Sequence, residues 1–183
     1  MSQGSKRPYA EVLPTAQHIV SVLCDYCQRI EIAGSLRRER PFVGDIEIVA
    51  IPKYETNLFG DPDLSRSELK HFLVRKGVVI PKLGDKYIQF LYGGYKVDLF
   101  MPTAETWGSI FTIRTGSHDF NMWLMSTRSG QVGVRFEDGR LLRRWNGELI
   151  PTPEEADVFE QLQMDFVPPN MRDDGKGMVY LRG

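Results

Sequence analysis

The stretch Asp45 to Ile51, D-I-E-I-V-A-I, constrains the fold more than any other. Asp45, Glu47 and Val49 alternate with Ile46, Ile48 and Ala50. Successive side chains of a strand point to opposite faces, so the pattern predicts a strand with one apolar face and one face that opens with two carboxylates. Two like charges side by side on one strand repel. The arrangement is cheap only where they face water or where a cation lies between them.

Asp98 sits in K-V-D-L-F, a second predicted strand, among Val97, Leu99 and Phe100. A carboxylate among strand apolar residues needs a partner. If the two strands lie side by side, three carboxylates converge, the oxygen-rich set that Mg²⁺ takes. Two such ions, with Mn²⁺ as a substitute, clamp the attacking and leaving oxygens of an in-line displacement. On these residues alone the simpler reading is a solvated strand face with salt bridges to Lys86 or Lys96.

The preceding segment shifts the balance. Gly34-Ser35-Leu36-Arg37-Arg38 follows a short predicted strand, Ile30 to Ala33. A strand–Gly–Ser–helix turn offers free backbone N–H groups, a hydroxyl and a close backbone approach, which together cradle an anion. Arg38 would add fork-shaped donors. The plainer alternative is Ser35 as a helix N-cap beside two surface arginines.

Elsewhere, a helix is predicted over residues 14–29, with Pro14 in its first turn and Cys24 and Cys27 as two buried or half-buried thiols. Residues 52–63 read as a loop and 64–76 as a helix. Residues 78–80, 86–91 and 95–100 read as strands, the last two joined by a Gly93-Gly94 turn. Helices over 106–113 and 119–128, a hairpin around Asp138-Gly139 and a helix over 153–164 complete the chain. His18 and His71 read as surface or capping residues, and Trp107 and Trp123 as core or lobe-interface residues. Arg143-Arg144-Trp145 combines charge and ring as single-strand binding surfaces do, or forms a hairpin edge with a packed Trp.

The chain has 183 residues, 42% of them hydrophobic and 26% charged, enough for one core or a domain with a small second lobe. No apolar run reaches the length of a membrane span, and the first residues lack a signal peptide's apolar stretch. This predicts a cytoplasmic protein with no membrane partner. A formal net charge of −1 counts against tight non-specific duplex binding. Residues 1–103 carry 14 Lys and Arg against 12 Asp and Glu, and residues 104–183 carry 9 against 12, so the slight positive excess lies with the carboxylates.

Taken together, G-S-L-R-R-x5-G-D-I-E-I-V resembles the signature of the polymerase-beta-like nucleotidyltransferases. T-G-S-H-D-F-N, residues 115–121, and the ending E-E-A-D-V-F-E-Q-L-Q-M-D-F-V-P-P-N-M-R, residues 154–172, are similar to segments of DNA polymerase family X in particular. The resemblance implies an α+β protein: a nucleotidyltransferase palm with a mixed, mostly antiparallel sheet over residues 1–103, and a small C-terminal helix-and-hairpin lobe over residues 104–183. That lobe would bind nucleotide and primer-template, with the active site in the cleft between.

It also implies roles. Asp45, Glu47 and Asp98 would be catalytic and hold two Mg²⁺ ions. Gly34, Ser35, Arg38 and Gly44 would bind the triphosphate. Thr115, Gly116 and Ser117 would shape the nucleotide pocket, Asn121 would reach the base edge, and Lys96 would meet the primer-terminal phosphate. Three departures stand out: Glu47 where Asp is usual, Ile113-Arg114 in place of an aromatic pair, and His118 beside the base position.

The implied function is that of a minimal DNA polymerase of repair type. It would act as a monomer, moving a nucleoside monophosphate from a dNTP onto the 3′-hydroxyl of a primer or gapped DNA. A nucleotidyltransferase acting on RNA, protein or a small molecule, and a non-catalytic nucleotide-binding module, remain open alternatives.

Overall fold

The computed structural model describes residues 6–56 and 62–173. In chain order it contains β1 (Arg7–Pro8), α1 (Tyr9–Leu23), β2 (Cys27–Ile32), α2 (Gly34–Arg37), β3 (Phe42–Val43), β4 (Ile46–Pro52), β5 (Tyr54–Thr56), β6 (Pro62–Ser67), α3 (Glu68–Arg75), β7 (Lys82–Leu83), β8 (Tyr87–Tyr92) and β9 (Tyr95–Phe100). There follow α4 (Trp107–Thr115), α5 (His118–Met122), a π-helical stretch (Trp123–Arg128), α6 (Ser129–Gln131), β10 (Val134–Glu137), β11 (Arg140–Arg143), β12 (Leu149–Ile150) and α7 (Glu155–Gln161). The chain divides into two compact units. One takes the residues up to Ile32 and Pro41–Met101; the other takes Ala33–Arg40 and the residues from Pro102 onward. The second unit therefore includes the Gly34-Ser35 turn.

The first unit is built on a five-stranded sheet in the order β2-β4-β9-β8-β7. Only β4 and β9 run parallel, so the sheet is mixed and mostly antiparallel, as expected. Ile46, Ile48 and Ala50 are fully buried on the apolar face of β4. Val49 is buried too, which confines the acidic character of the other face to the strand's beginning. Gly93 and Gly94 have φ of 57° and 79°. Two successive positive φ values make the tight turn that matches strand twist, and glycine adopts them without strain.

Several boundaries differ from the periodicity. Helix α1 begins at Tyr9 and carries Pro14 inside it. Burial of Val12 on the same stripe as Ala16, Ile19 and Leu23 favours the extra turn despite the proline. The helix stops at Leu23. A 3₁₀ turn over Cys24–Tyr26 then leads into β2, which already begins at Cys27. Cys24 is therefore exposed, while Cys27 is buried, and its burial pushes the thiol pKa up to about 12.

The loop expected over 52–63 contains β5 and the start of β6; its residues 57–61 lie outside the described residues. Helix α3 starts only at Glu68, because the Ser67 hydroxyl caps it by accepting from the Lys70 N–H. Residues 78–80 form no strand. The Val79 carbonyl accepts one bond from the Leu91 N–H, and the edge strand is Lys82–Leu83 instead.

The second unit packs Phe120, Leu124, Val134, Leu141, Ile150, Val158, Phe159 and Leu162 around a three-stranded antiparallel sheet, β10-β11-β12. The helix expected over 119–128 loosens into π-helix after Met122. The hydroxyls of Ser126 and Ser129 bond back to the carbonyls of Met122 and Met125, competing with the helical ladder. Helix α7 is shorter than expected because Gln163, at φ 52°, turns the chain out of the helix. Trp107 is wholly buried and Trp123 packs against the core. No helix among the described residues is long and apolar enough to cross a membrane.

Candidate active site

In the first unit, the parallel pairing of β4 with β9 sets Glu47 beside Asp98. Asp45 lies in the bend just before β4. Residues opposite each other on paired strands share a face, so the register alone brings Glu47 and Asp98 to the same side. Asp98 is only 6% exposed. Its Oδ1 accepts hydrogen bonds from the Tyr87 hydroxyl at 2.6 Å and the Gln89 amide at 2.9 Å. Its Oδ2 lies 2.9 Å from the Lys96 ammonium, which is also 2.9 Å from Asp45 Oδ2.

The electrostatics follow from these contacts. Burial alone would raise the Asp98 pKa, but the bonds from Tyr87, Lys96 and Gln89 outweigh it and hold the carboxyl below its usual range. The Tyr87 phenol moves the other way, pushed up to about 12 by burial and by the anion it serves. Burial acts to lower the Lys96 pKa, yet its bonds to Asp45 and Asp98 raise it.

The expected cage of three carboxylates around an ion is thus only partly formed. Among the described residues, no three of His, Cys, Asp and Glu are close enough together to hold a metal ion. A cation does lie between two of the three: the Lys96 ammonium joins Asp45 to Asp98. Lys96, implied at a primer phosphate, is here the counter-ion of the carboxylates, the pairing the simpler sequence reading allowed. The donor set is nonetheless all oxygen, with Glu47 in register beside Asp98, and it suits a hard divalent cation.

In the second unit, Gly34 takes φ 63° two residues after the end of β2, a conformation that favours glycine. The residue before the one-turn helix α2 is Ala33, so Ser35 lies inside the turn and does not cap it. Among the described residues the Ser35 hydroxyl makes no hydrogen bond.

The arginines of this turn are engaged within the unit. Arg37 donates to Thr115 Oγ1 at 2.8 Å and to Glu155 at 2.6 Å, and lies 3.7 Å over the Phe111 ring. Arg38, implied at the triphosphate, donates to Asp173 at 2.9 Å and to the Thr115 carbonyl. Arg40 reaches the same Asp173 carboxylate at 2.7 Å. Glu155 also accepts from Arg172, whose side chain is fully buried. Burial would raise the Glu155 pKa, but Arg37 and Arg172 hold it below its usual range.

The T-G-S-H-D-F-N segment forms the corner between α4 and α5. Thr115 is fully buried. Gly116 ends α4, and a Cβ there would lie 2.4 Å from Asn121 Oδ1 and 2.7 Å from the Phe120 ring. Ser117 caps α5 by accepting from the Phe120 N–H at 3.1 Å, and donates to the Asp173 carbonyl at 2.7 Å. Asn121, implied at a base edge, turns back instead. Its amide donates to the Ile113 and Gly116 carbonyls, two of the acceptors the end of α4 leaves open. Gly44 is exposed, and a Cβ there would meet only Lys6 at 3.9 Å, so nothing in the described residues demands a glycine.

Tyr87 and Gln89, Glu155 and Asp173 were not singled out by sequence reasoning. For the first two a signal existed: Y-I-Q-F places two polar groups on alternate positions of a strand, where they meet the face that carries Asp98. Glu155 is hidden among neighbouring acids at the start of a helix, and Asp173 follows the last motif with no pattern around it.

Residues 111–173 match the family model for the DNA polymerase beta thumb. No curated protein matches the chain. Among solved structures the fold is similar to that of the Leishmania infantum polymerase beta in its ternary P/T complex. The TM-score is 0.72 and the identity 19%, over 93% of this chain and 78% of that one. The chain therefore has a polymerase-beta-like fold, and the resemblance to DNA polymerase family X read from its motifs is borne out.

Proposed function

We propose that the chain is a nucleotidyltransferase of DNA polymerase type, moving a nucleoside monophosphate from a dNTP to a primer 3′-hydroxyl. The observation that carries this reading is a single cation shared by Asp45 and Asp98, with Glu47 in register beside Asp98. Asp45, Glu47 and Asp98 would hold Mg²⁺, with Mn²⁺ as a substitute. Bound there, a divalent ion supplies positive charge to the phosphoryl oxygens and lowers the pKa of the attacking hydroxyl.

The chain's own groups do the rest. Tyr87 and Gln89 fix one oxygen of Asp98, so the other keeps a defined direction. Lys96 neutralises the carboxylates until the substrate arrives, then turns to the primer phosphate. Asp98 takes the proton of the 3′-hydroxyl as its oxygen bonds to the α-phosphorus and pyrophosphate leaves. Gly34 and Ser35 present backbone N–H groups and the open Ser35 hydroxyl to the triphosphate. Arg37 and Arg38, tied to Glu155 and Asp173, hold that turn in shape. Arg38 reaches phosphate only if its bond to Asp173 opens. Gly44 of the first unit and Thr115, Gly116, Ser117 and Asn121 of the second are each assigned to nucleotide binding.

The test is incubation of the protein with Mg²⁺ and labelled dNTP or NTP, offering a gapped duplex, a blunt primer and an RNA end. Label is expected on the DNA primer from dNTP, and chelation of the metal should abolish it. Label only on RNA would move the assignment to another acceptor, and no label on any acceptor would remove the enzymatic reading.

A further inference from the structure

Three tryptophans are present, and two of them do what tryptophan usually does: Trp107 is fully buried and Trp123 packs on the core of the second unit. Trp145 is 78% exposed, on the turn between β11 and β12. Of the two sequence readings of Arg143-Arg144-Trp145, the packed hairpin edge is thereby ruled out. An indole in water gains nothing for the fold from its apolar area.

The turn that carries it is well tied. The Arg143 N–H donates to the Glu148 carbonyl at 2.8 Å and the Gly147 N–H to the Arg143 carbonyl at 2.9 Å. The Arg144 N–H donates to the Gly133 carbonyl at 2.9 Å, and the Asn146 side chain accepts from the Glu148 N–H at 3.0 Å. The Arg135 guanidinium closes on the Arg144 carbonyl at 3.3 Å. The backbone under Trp145 is therefore set before any ligand arrives, so little ordering cost remains.

Charge on the turn is sparse but well placed. Arg135 is paired with Glu137 at 3.1 Å, and Arg143 with Glu148 at 3.8 Å. Arg144 is exposed and forms no ion pair among the described residues. An exposed guanidinium and an exposed ring on successive residues of the turn suit a base with its phosphate: the ring stacks on the base and the guanidinium meets the anion. Duplex DNA is a poor fit, because its base faces are already stacked and its affinity comes from many cations that this turn lacks. A protein interface is a poorer fit as well, since the neighbours of Trp145 along the turn, Arg144, Asn146, Gly147 and Glu148, are polar or lack a side chain.

We propose that Trp145 and Arg144 form a stacking platform for an unpaired nucleotide of single-stranded nucleic acid. This goes beyond the transfer reaction and does not depend on the carboxylates.

The test uses the whole protein, with oligothymidylate, oligouridylate and a blunt duplex as probes. Tryptophan emission and the anisotropy of end-labelled oligomers are read together. Either single strand should quench the emission saturably, the two arms separating DNA from RNA. Trp145→Ala should remove that quench and weaken binding about tenfold, with unchanged thermal unfolding. Raising salt from about 50 to 200 mM should weaken wild-type binding less than about tenfold, because few phosphates are neutralised. Asp98→Asn should bind and quench as wild type does, so a failed transfer reaction and a failed platform are told apart. Equal affinity of the Trp145→Ala and wild-type proteins, duplex binding as tight as single-strand binding, or no quench by either single strand would overturn the proposal.

Discussion

Asp98→Asn is expected to reduce primer extension by about 10³-fold or more while leaving the fold in place. Asparagine keeps an oxygen where Tyr87 and Gln89 donate, so the buried hydrogen bonds survive. What it loses is the negative charge that faces Lys96 and that would hold a divalent ion. A loss of 10³ corresponds to about 4 kcal/mol of transition-state stabilisation, a magnitude that removing one well-placed electrostatic group from an active site reaches. Extension rates at saturating dNTP, read beside near-ultraviolet circular dichroism, check both halves of the expectation. Retained extension would remove Asp98 from the reaction, and collapse of the near-ultraviolet signal would show that its role is structural.

Glu155→Ala should destabilise the second unit by about 3–5 kcal/mol in urea unfolding. Glu155 is the shared acceptor for Arg37 and Arg172, and the Arg172 side chain is fully buried. Removing the acid leaves a buried guanidinium without its counter-charge, which costs far more than the pair itself contributes. The same acid sets a pH dependence. Its folded pKa lies below the ordinary 4.5, so its contribution is present above that value and lost as pH falls through the folded one. The acid limb of the wild-type stability curve should therefore flatten in Glu155→Gln. An Ala variant within about 1 kcal/mol of wild type would show that the network is not what holds the second unit together.

How far the sequence carries can be seen in particular residues. The alternation after Asp45 fixes β4 and its faces, and the Gly93-Gly94 pair fixes the hairpin beside Asp98, because both signals depend only on local geometry. The polymerase-beta-like fold and the mixed sheet follow from motif order and were legible. The start of α1 was not, because Pro14 is a strong local signal for a helix beginning, and burial of Val12 overrides it. The roles around the α4–α5 corner were not legible either. Asn121 and Ser117 satisfy backbone groups that exist only once α4 ends and the tail returns past it. Lys96 shows the same limit: its place two residues before Asp98 gives its face, but not that it would join two carboxylates.

The measurement that bears most directly on the central claim is Mn²⁺ binding by electron paramagnetic resonance, in wild type and in an Asp45→Asn, Asp98→Asn double variant, with and without a non-hydrolysable dNTP. A divalent ion should displace the Lys96 ammonium, so wild type should bind Mn²⁺ and bind it more tightly with nucleotide, while the double variant should lose that binding. Equal Mn²⁺ affinity in the two proteins would mean that these carboxylates serve only Lys96.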